Sequence, residues 1–203
     1  TEIYTLSLHD ALPISMPDKE AAAKVEAYAT QKIQEGDSIG GIIECVVEGM
    51  MPGIGEPVFD KLDASLGKAM LSIGAVKGFE IGSGFEAAKM TGSENNDSFV
   101  MKDGKLTKKT NHAGGVLGGM SDGSNIVFRA AVKPTPSISA VQDTVNKDGE
   151  NIEISIKGRH DPMIVPRAVV VVEAMTALTL VDLIFENMTA RLDGICAFYN
   201  RSK

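Results

Sequence analysis

Residues 168–185 contain only two charged side chains, Glu173 and Asp182, among mostly apolar ones. A segment this apolar must be covered by something. A membrane span usually needs about 20 mostly apolar residues without such charges. The expectation is therefore a buried core helix, with the rest of the chain built around it. Val169 to Val172 form helices poorly by themselves, so packing must hold the first turns or leave them strand-like.

The elements that could cover such a helix are readable from hydrophobic spacing. Residues 16–34 predict a helix with Val25, Tyr28, Ala29 and Ile33 on one stripe. Residues 57–73 predict a second, from Val58, Phe59, Leu62, Leu66, Ala69, Met70 and Ile73. Alternation predicts a strand over 38–48, with Ile39, Ile43, Cys45 and Val47 on one face and a partly apolar opposite face. A sheet covered on both sides, or nearly so, fits that pattern. Residues 124–132 predict a strand with Ile126, Phe128, Ala130 and Val132 inward. Ile152, Ile154 and Ile156 predict another with the same sense. The polar stretch 91–110 reads as an exposed excursion with a hairpin at Asp103-Gly104.

A chain of 203 residues can form one large domain or two small ones. Its net charge of -7 argues against a general nucleic-acid surface. The absence of tryptophan and the 5% aromatic content argue against a base-stacking platform. Cys45 and Cys196 read as buried thiols of a reducing compartment. His9, His112 and His160 have no metal-ligand spacing, so no metal site is indicated.

Four segments concentrate polar chemistry or glycine. Residues 111–123 carry two Gly-Gly pairs, which suit either exposed N–H groups for a phosphate or flat ring, or tight packing between layers. Residues 74–84 hold four glycines in eleven positions. Lys133-Pro134-Thr135-Pro136-Ser137 sets a cation and two hydroxyls beside rigid prolines, a plausible phosphate clamp or a plain solvent turn. Lys157-Gly158-Arg159-His160-Asp161-Pro162 collects cationic, titratable and anionic groups at a strand-to-helix junction.

Three of these segments together resemble the chorismate synthase family: N-H-A-G-G-V-L-G-G-M-S-D-G at 111–123, K-P-T-P-S at 133–137 and G-R-H-D-P at 158–162. E-P-V-F-D-K-L-D at 56–63 and A-V-K-G at 75–78 add to the likeness, which runs from about residue 16 to 185. The resemblance implies an α+β fold, a β-α-β sandwich with helices between antiparallel sheets, in a cytoplasmic homotetramer. It implies 1,4-anti elimination of phosphate from 5-enolpyruvylshikimate 3-phosphate to give chorismate, with reduced FMN and no net redox change. NADPH is the flavin reductant it suggests for the parent enzyme. The FMN contacts it implies are Gly74, Ala75, Gly118, Lys133, Pro134, Thr135, Pro136, Ser137 and Arg159. Gly74 stands where the family commonly has asparagine, so only a backbone contact would carry over. Asp161 matches the aspartate that handles a proton near the flavin. No nucleic-acid or membrane partner is implied.

Two departures shape the expectation. The family's G-E-S-H-G-like and R-P-G-H-A-D-like segments, each with an acid histidine, have no counterpart in this sequence. Residues 1–15, TEIYTLSLHDALPIS, resemble translated adaptor sequence and read as a non-native leader. The chain is accordingly expected to be a C-terminal portion of the family, residues 16–203, with an incomplete sandwich and no activity by itself. The alternatives are a catalytically dead module that binds FMN or phosphate, and a structural fragment whose glycines only pack.

Overall fold

The computed structural model describes residues 16–102, 104–156, 158 and 161–200. The leader assigned to 1–15 lies outside them, as do Arg159 and His160. In chain order the elements are α1 (Lys19–Gln34), β1 (Gly41–Val47), α2 (Leu62–Ser72), β2 (Val76–Ile81), α3 (Gly92–Asn95), β3 (Phe99–Lys102), β4 (Lys105–Lys108), β5 (Val116–Leu117), β6 (Met120–Ser121), β7 (Ile126–Val132), β8 (Gln142–Val145), β9 (Asn151–Ile154), α4 (Val165–Thr189) and α5 (Leu192–Asn200). This is an α+β arrangement, with helices on one face of an antiparallel sheet.

β7 is the centre. It lies between β1 and β2 and pairs antiparallel with both. Its alternation works as the sequence indicates: Ile126, Phe128, Ala130 and Val132 are all buried. They pack under Leu62, Leu66 and Met70 of α2 and under Val172, Leu180 and Leu183 of α4. Burying each large aliphatic side chain contributes about 1.5–3 kcal/mol, so this layer is the main source of cohesion. Phe79 of β2 adds a tilted ring contact to Phe128, with centroids 5.4 Å apart.

The opposite face of the sheet departs from the expected double cover. Ile42 is 64% exposed there. Glu44 and Glu80 flank Arg129 in register, and the Arg129 guanidinium meets Glu80 Oε1 at 2.9 Å. A row of charges across three strands suits water, not a second apolar layer.

α4 departs in the same way. It buries Val172, Thr176, Leu180 and Leu183, a stripe at three- and four-residue steps. Its other side leaves Leu178 at 65% and Phe185 at 62% exposure. The helix is half-buried instead of enclosed, although it is long and apolar enough to cross a membrane by length and composition. Thr176 Oγ1 donates to the Val172 carbonyl at 2.7 Å, which removes the cost of burying its hydroxyl.

Two expected elements shift. α2 begins at Leu62, not residue 57, and leaves Phe59 88% exposed. Its first N–H groups are claimed from outside, because Leu62 N donates to the Gly119 carbonyl at 2.8 Å. Among the described residues the 152–154 strand pairs only with β8, and Ile152 and Ile154 are exposed instead of inward. A two-stranded ribbon has no core of its own to receive them.

Candidate functional site

The polar segments fall into two groups, at the two ends of β7. At the Val132 end, the Lys133 N–H donates to the Ala75 carbonyl at 2.9 Å, so Gly74, Ala75 and residues 133–137 meet there. Ala75 has φ of 70°, a left-handed conformation that a side-chain-bearing residue seldom holds, at a cost of about 1–3 kcal/mol. Such strain at a junction between α2 and β2 suits a backbone shaped for contact. Ser38 Oγ donates to the Thr135 carbonyl at 2.6 Å. Next to it, Ile39 N donates to the Pro162 carbonyl at 2.8 Å, and Ile39 bridges Met163 in parallel. Asp161 therefore joins the same group through its neighbours. Its Oδ2 pairs with the Arg167 guanidinium at 2.8 Å and its Oδ1 accepts from Met163 N at 3.3 Å.

Two side chains in this group have hydrogen-bonding capacity unused among the described residues. Thr135 Oγ1 is buried and has no hydrogen-bond partner among the described residues. Lys133 is exposed and has no ion pair among them. A buried hydroxyl left unpaired costs about 1–3 kcal/mol, so a ligand oxygen there would be strongly favoured. A cation and a donor within three residues fit a phosphate-bearing cofactor or substrate.

The glycine segment at the Ile126 end is of another kind. The N–H groups of residues 112–115 are already taken. His112 N and Ala113 N donate to the two carboxylate oxygens of Asp97 at 2.7 and 2.9 Å. Gly114 N and Gly115 N go to the carbonyl and Oδ1 of Asn111 at 3.1 and 2.8 Å. Burial works against the charge on Asp97, but bonds from Thr110, Ala113 and His112 outweigh it and hold its carboxyl below the ordinary range. His112 Nδ1 lies 2.9 Å from Ser83 Oγ. Lys108 and Asp122 form a buried ion pair beneath the same segment. A Cβ on Gly114 would overlap the backbone of Gly82, so these glycines serve close packing. Of the two readings left open by composition, packing describes residues 112–115.

Gly118 does not join the Lys133 group. It sits at the exposed tip between β5 and β6, whose Gly119 carbonyl holds the start of α2. Gly74 follows the other end of that helix. Eleven residues of α-helix span about 16 Å, so α2 separates the two. A wide groove of about 690 Å³ lies elsewhere again, between α2 and α4. It includes Lys68, Leu178 and Phe185 but none of the expected site residues.

The family model described as chorismate synthase matches residues 2–185. The chain belongs to the chorismate synthase family. A chorismate synthase of Lachnospira eligens is 72% identical over 198 residues, covering 98% of this chain and 54% of that protein. One of Agathobacter rectalis is 60% identical over 200 residues, covering 98% and 53% respectively. A crystal structure of chorismate synthase superposes with a TM-score of 0.71 at 29% identity, covering 93% of this chain and 50% of that one. The chain spans about half the length of the curated relatives it matches.

These matches correct two expectations. The likeness is not confined to a C-terminal portion beginning near residue 16, because the family match starts at residue 2 and relatives align over nearly the whole chain. Nor does the likeness of fold stop short along this chain, because the chorismate synthase structure matches across 93% of it.

Ser38 and Arg167 were not singled out by the sequence. Ser38 looks like the start of a strand, and Arg167 like a helix-initial charge. Only the position of Ser38 beside Gly36 and Gly40 hinted at a tight approach.

Proposed function

We propose that this chain serves the family's reaction, elimination of phosphate from 5-enolpyruvylshikimate 3-phosphate to give chorismate. The observation that carries the reading is the buried Thr135 hydroxyl beside Lys133, neither of them paired among the described residues. In the 1,4-anti elimination, the electron pair of a substrate C–H bond forms a new double bond, and the ring's existing double bond shifts onto the carbon that bears phosphate. The C–O bond to phosphate breaks, phosphate leaves with its electron pair, and a proton is lost. Reduced FMN, when bound, supplies electron density for that step without net redox change.

The chain's own residues bind and orient. Lys133 supplies positive charge toward a phosphate, and the Thr135 and Ser137 hydroxyls supply directional donors. Pro134 and Pro136 stiffen the segment so that little order is lost on binding. Gly74 and Ala75 contribute backbone contacts beside them, and Arg159 a further cation. Gly118 is a separate backbone contact, divided from the rest by the length of α2. Asp161 is the proton-handling carboxylate, and Arg167 holds it in one orientation. A homotetramer, a cytoplasmic setting and NADPH as the source of flavin reduction belong to the same reading.

Titration with FMN, followed by flavin fluorescence, tests it. Saturable binding is expected, weakened about tenfold by Lys133→Ala, as for loss of one charge-assisted contact. Unchanged flavin fluorescence across the titration, or equal affinity in the Lys133→Ala chain, overturns it.

A further inference from the structure

Residues 133–137 and 161–163 are far apart in the chain, yet both hang from the same two residues. Ser38 Oγ donates to the Thr135 carbonyl at 2.6 Å, and Ile39 N donates to the Pro162 carbonyl at 2.8 Å. Ser38 is 9% exposed, and its own N–H is held by Asp37 Oδ1 at 2.8 Å. The flanking glycines bring the two layers together. A Cβ on Gly40 would overlap the Val132 carbonyl and come within 3.1 Å of Pro134. The Gly36 carbonyl accepts from both Ser139 N and Ala140 N at 3.1 Å. Residues 36–40 are thus a floor under the whole 133–140 segment.

Packing alone does not call for a hydroxyl at position 38, since alanine would fill nearly the same space. The Ser38 hydroxyl is spent on the carbonyl of the one residue in the segment whose own buried side-chain oxygen has no partner among the described residues. A side-chain-to-backbone bond of this kind fixes the peptide plane, and so fixes where the Thr135 side chain starts. We infer that Ser38 is a positioning residue for the flavin site, holding Thr135 in register with Asp161. The inference rests on the flavin reading above.

The test is a double-mutant cycle on FMN affinity with Ser38→Ala and Thr135→Val, alongside thermal unfolding without flavin. Ser38→Ala is expected to weaken FMN binding about five- to tenfold, as for loss of one buried hydrogen bond. In the Thr135→Val background it is expected to add less than about twofold, because residues acting as one unit are not additive. A merely structural serine would multiply with Thr135→Val instead. Should Ser38→Ala fail to fold, Ser38→Cys keeps the volume with a weak donor and is read the same way. Equal affinity in the Ser38 variant, or independent effects in the cycle, overturns the positioning role while the flavin site stands. A parent chain that does not bind FMN overturns both.

Discussion

The two ends of β7 carry turns of similarly unusual composition that the fold uses in opposite ways. At the Ile126 end, the N–H groups of residues 112–115 are all paired within the chain, two of them to Asp97. At the Val132 end, the Thr135 hydroxyl is buried without a partner among the described residues. The first turn is closed on itself, and the second has binding capacity left over. Glycine density marks a backbone that must do something unusual. It does not say whether that backbone faces a neighbour or a ligand.

The strongest way to test the contrast is Gly114→Ala. The residue has φ of 64° and a Cβ would overlap Gly82, so a loss of more than about 3 kcal/mol is expected in denaturant unfolding. A well-folded Gly114→Ala chain would show that the turn is not packed shut.

Asp97→Ala comes next, with about 2–3 kcal/mol lost from the removal of an ionised acceptor. Its pH dependence has a definite sign. The folded carboxyl lies below its ordinary value, so its contribution is present above about pH 4 and is lost as pH falls through the folded value. The parent chain should therefore lose stability in acid more steeply than Asp97→Asn, measured by unfolding at pH 7 and pH 3. Parallel curves would remove Asp97 from the account.

Lys133→Ala should act on the ligand instead of the fold. Its stability change is expected within about 0.5 kcal/mol, because the side chain is exposed. A large drop in thermal stability would blur the line between the two ends.

Gly118→Ala is expected to cost the fold little. Nothing lies within 4 Å of the added Cβ, and φ of 60° leaves only the left-handed cost of about 1 kcal/mol. A loss of more than about 3 kcal/mol in denaturant unfolding would show that the hairpin tip is packed shut like residues 112–115.

Much of the fold could be read from spacing. The inward face of β7, the buried core of β1 and the central part of α2 follow from period-two and period-3.6 patterns, which are local. Coverage was less readable. Ile152 and Ile154 alternate as a buried strand does, but among the described residues β9 has only β8 beside it. The 168–185 run is apolar enough for a core, yet α4 has the sheet on one side alone. In the site, the segments 133–137 and 74–75 were recognisable by motif, and the structure joins them through one backbone bond. Ser38 was not recognisable, because its partner lies 97 positions away.

By itself the sequence determined the main helices α1, α2 and α4 and the strands β1 and β7, which face of the central strand is buried, and the family resemblance carried by its ordered motifs. Those properties depend on neighbours within a few residues or on the order of segments. Only the tertiary structure decided which polar groups remain unpaired. Whether the glycine N–H groups or the Thr135 hydroxyl are free depends on acceptors from distant segments, and a hydrogen bond forms only where folding brings both partners within reach.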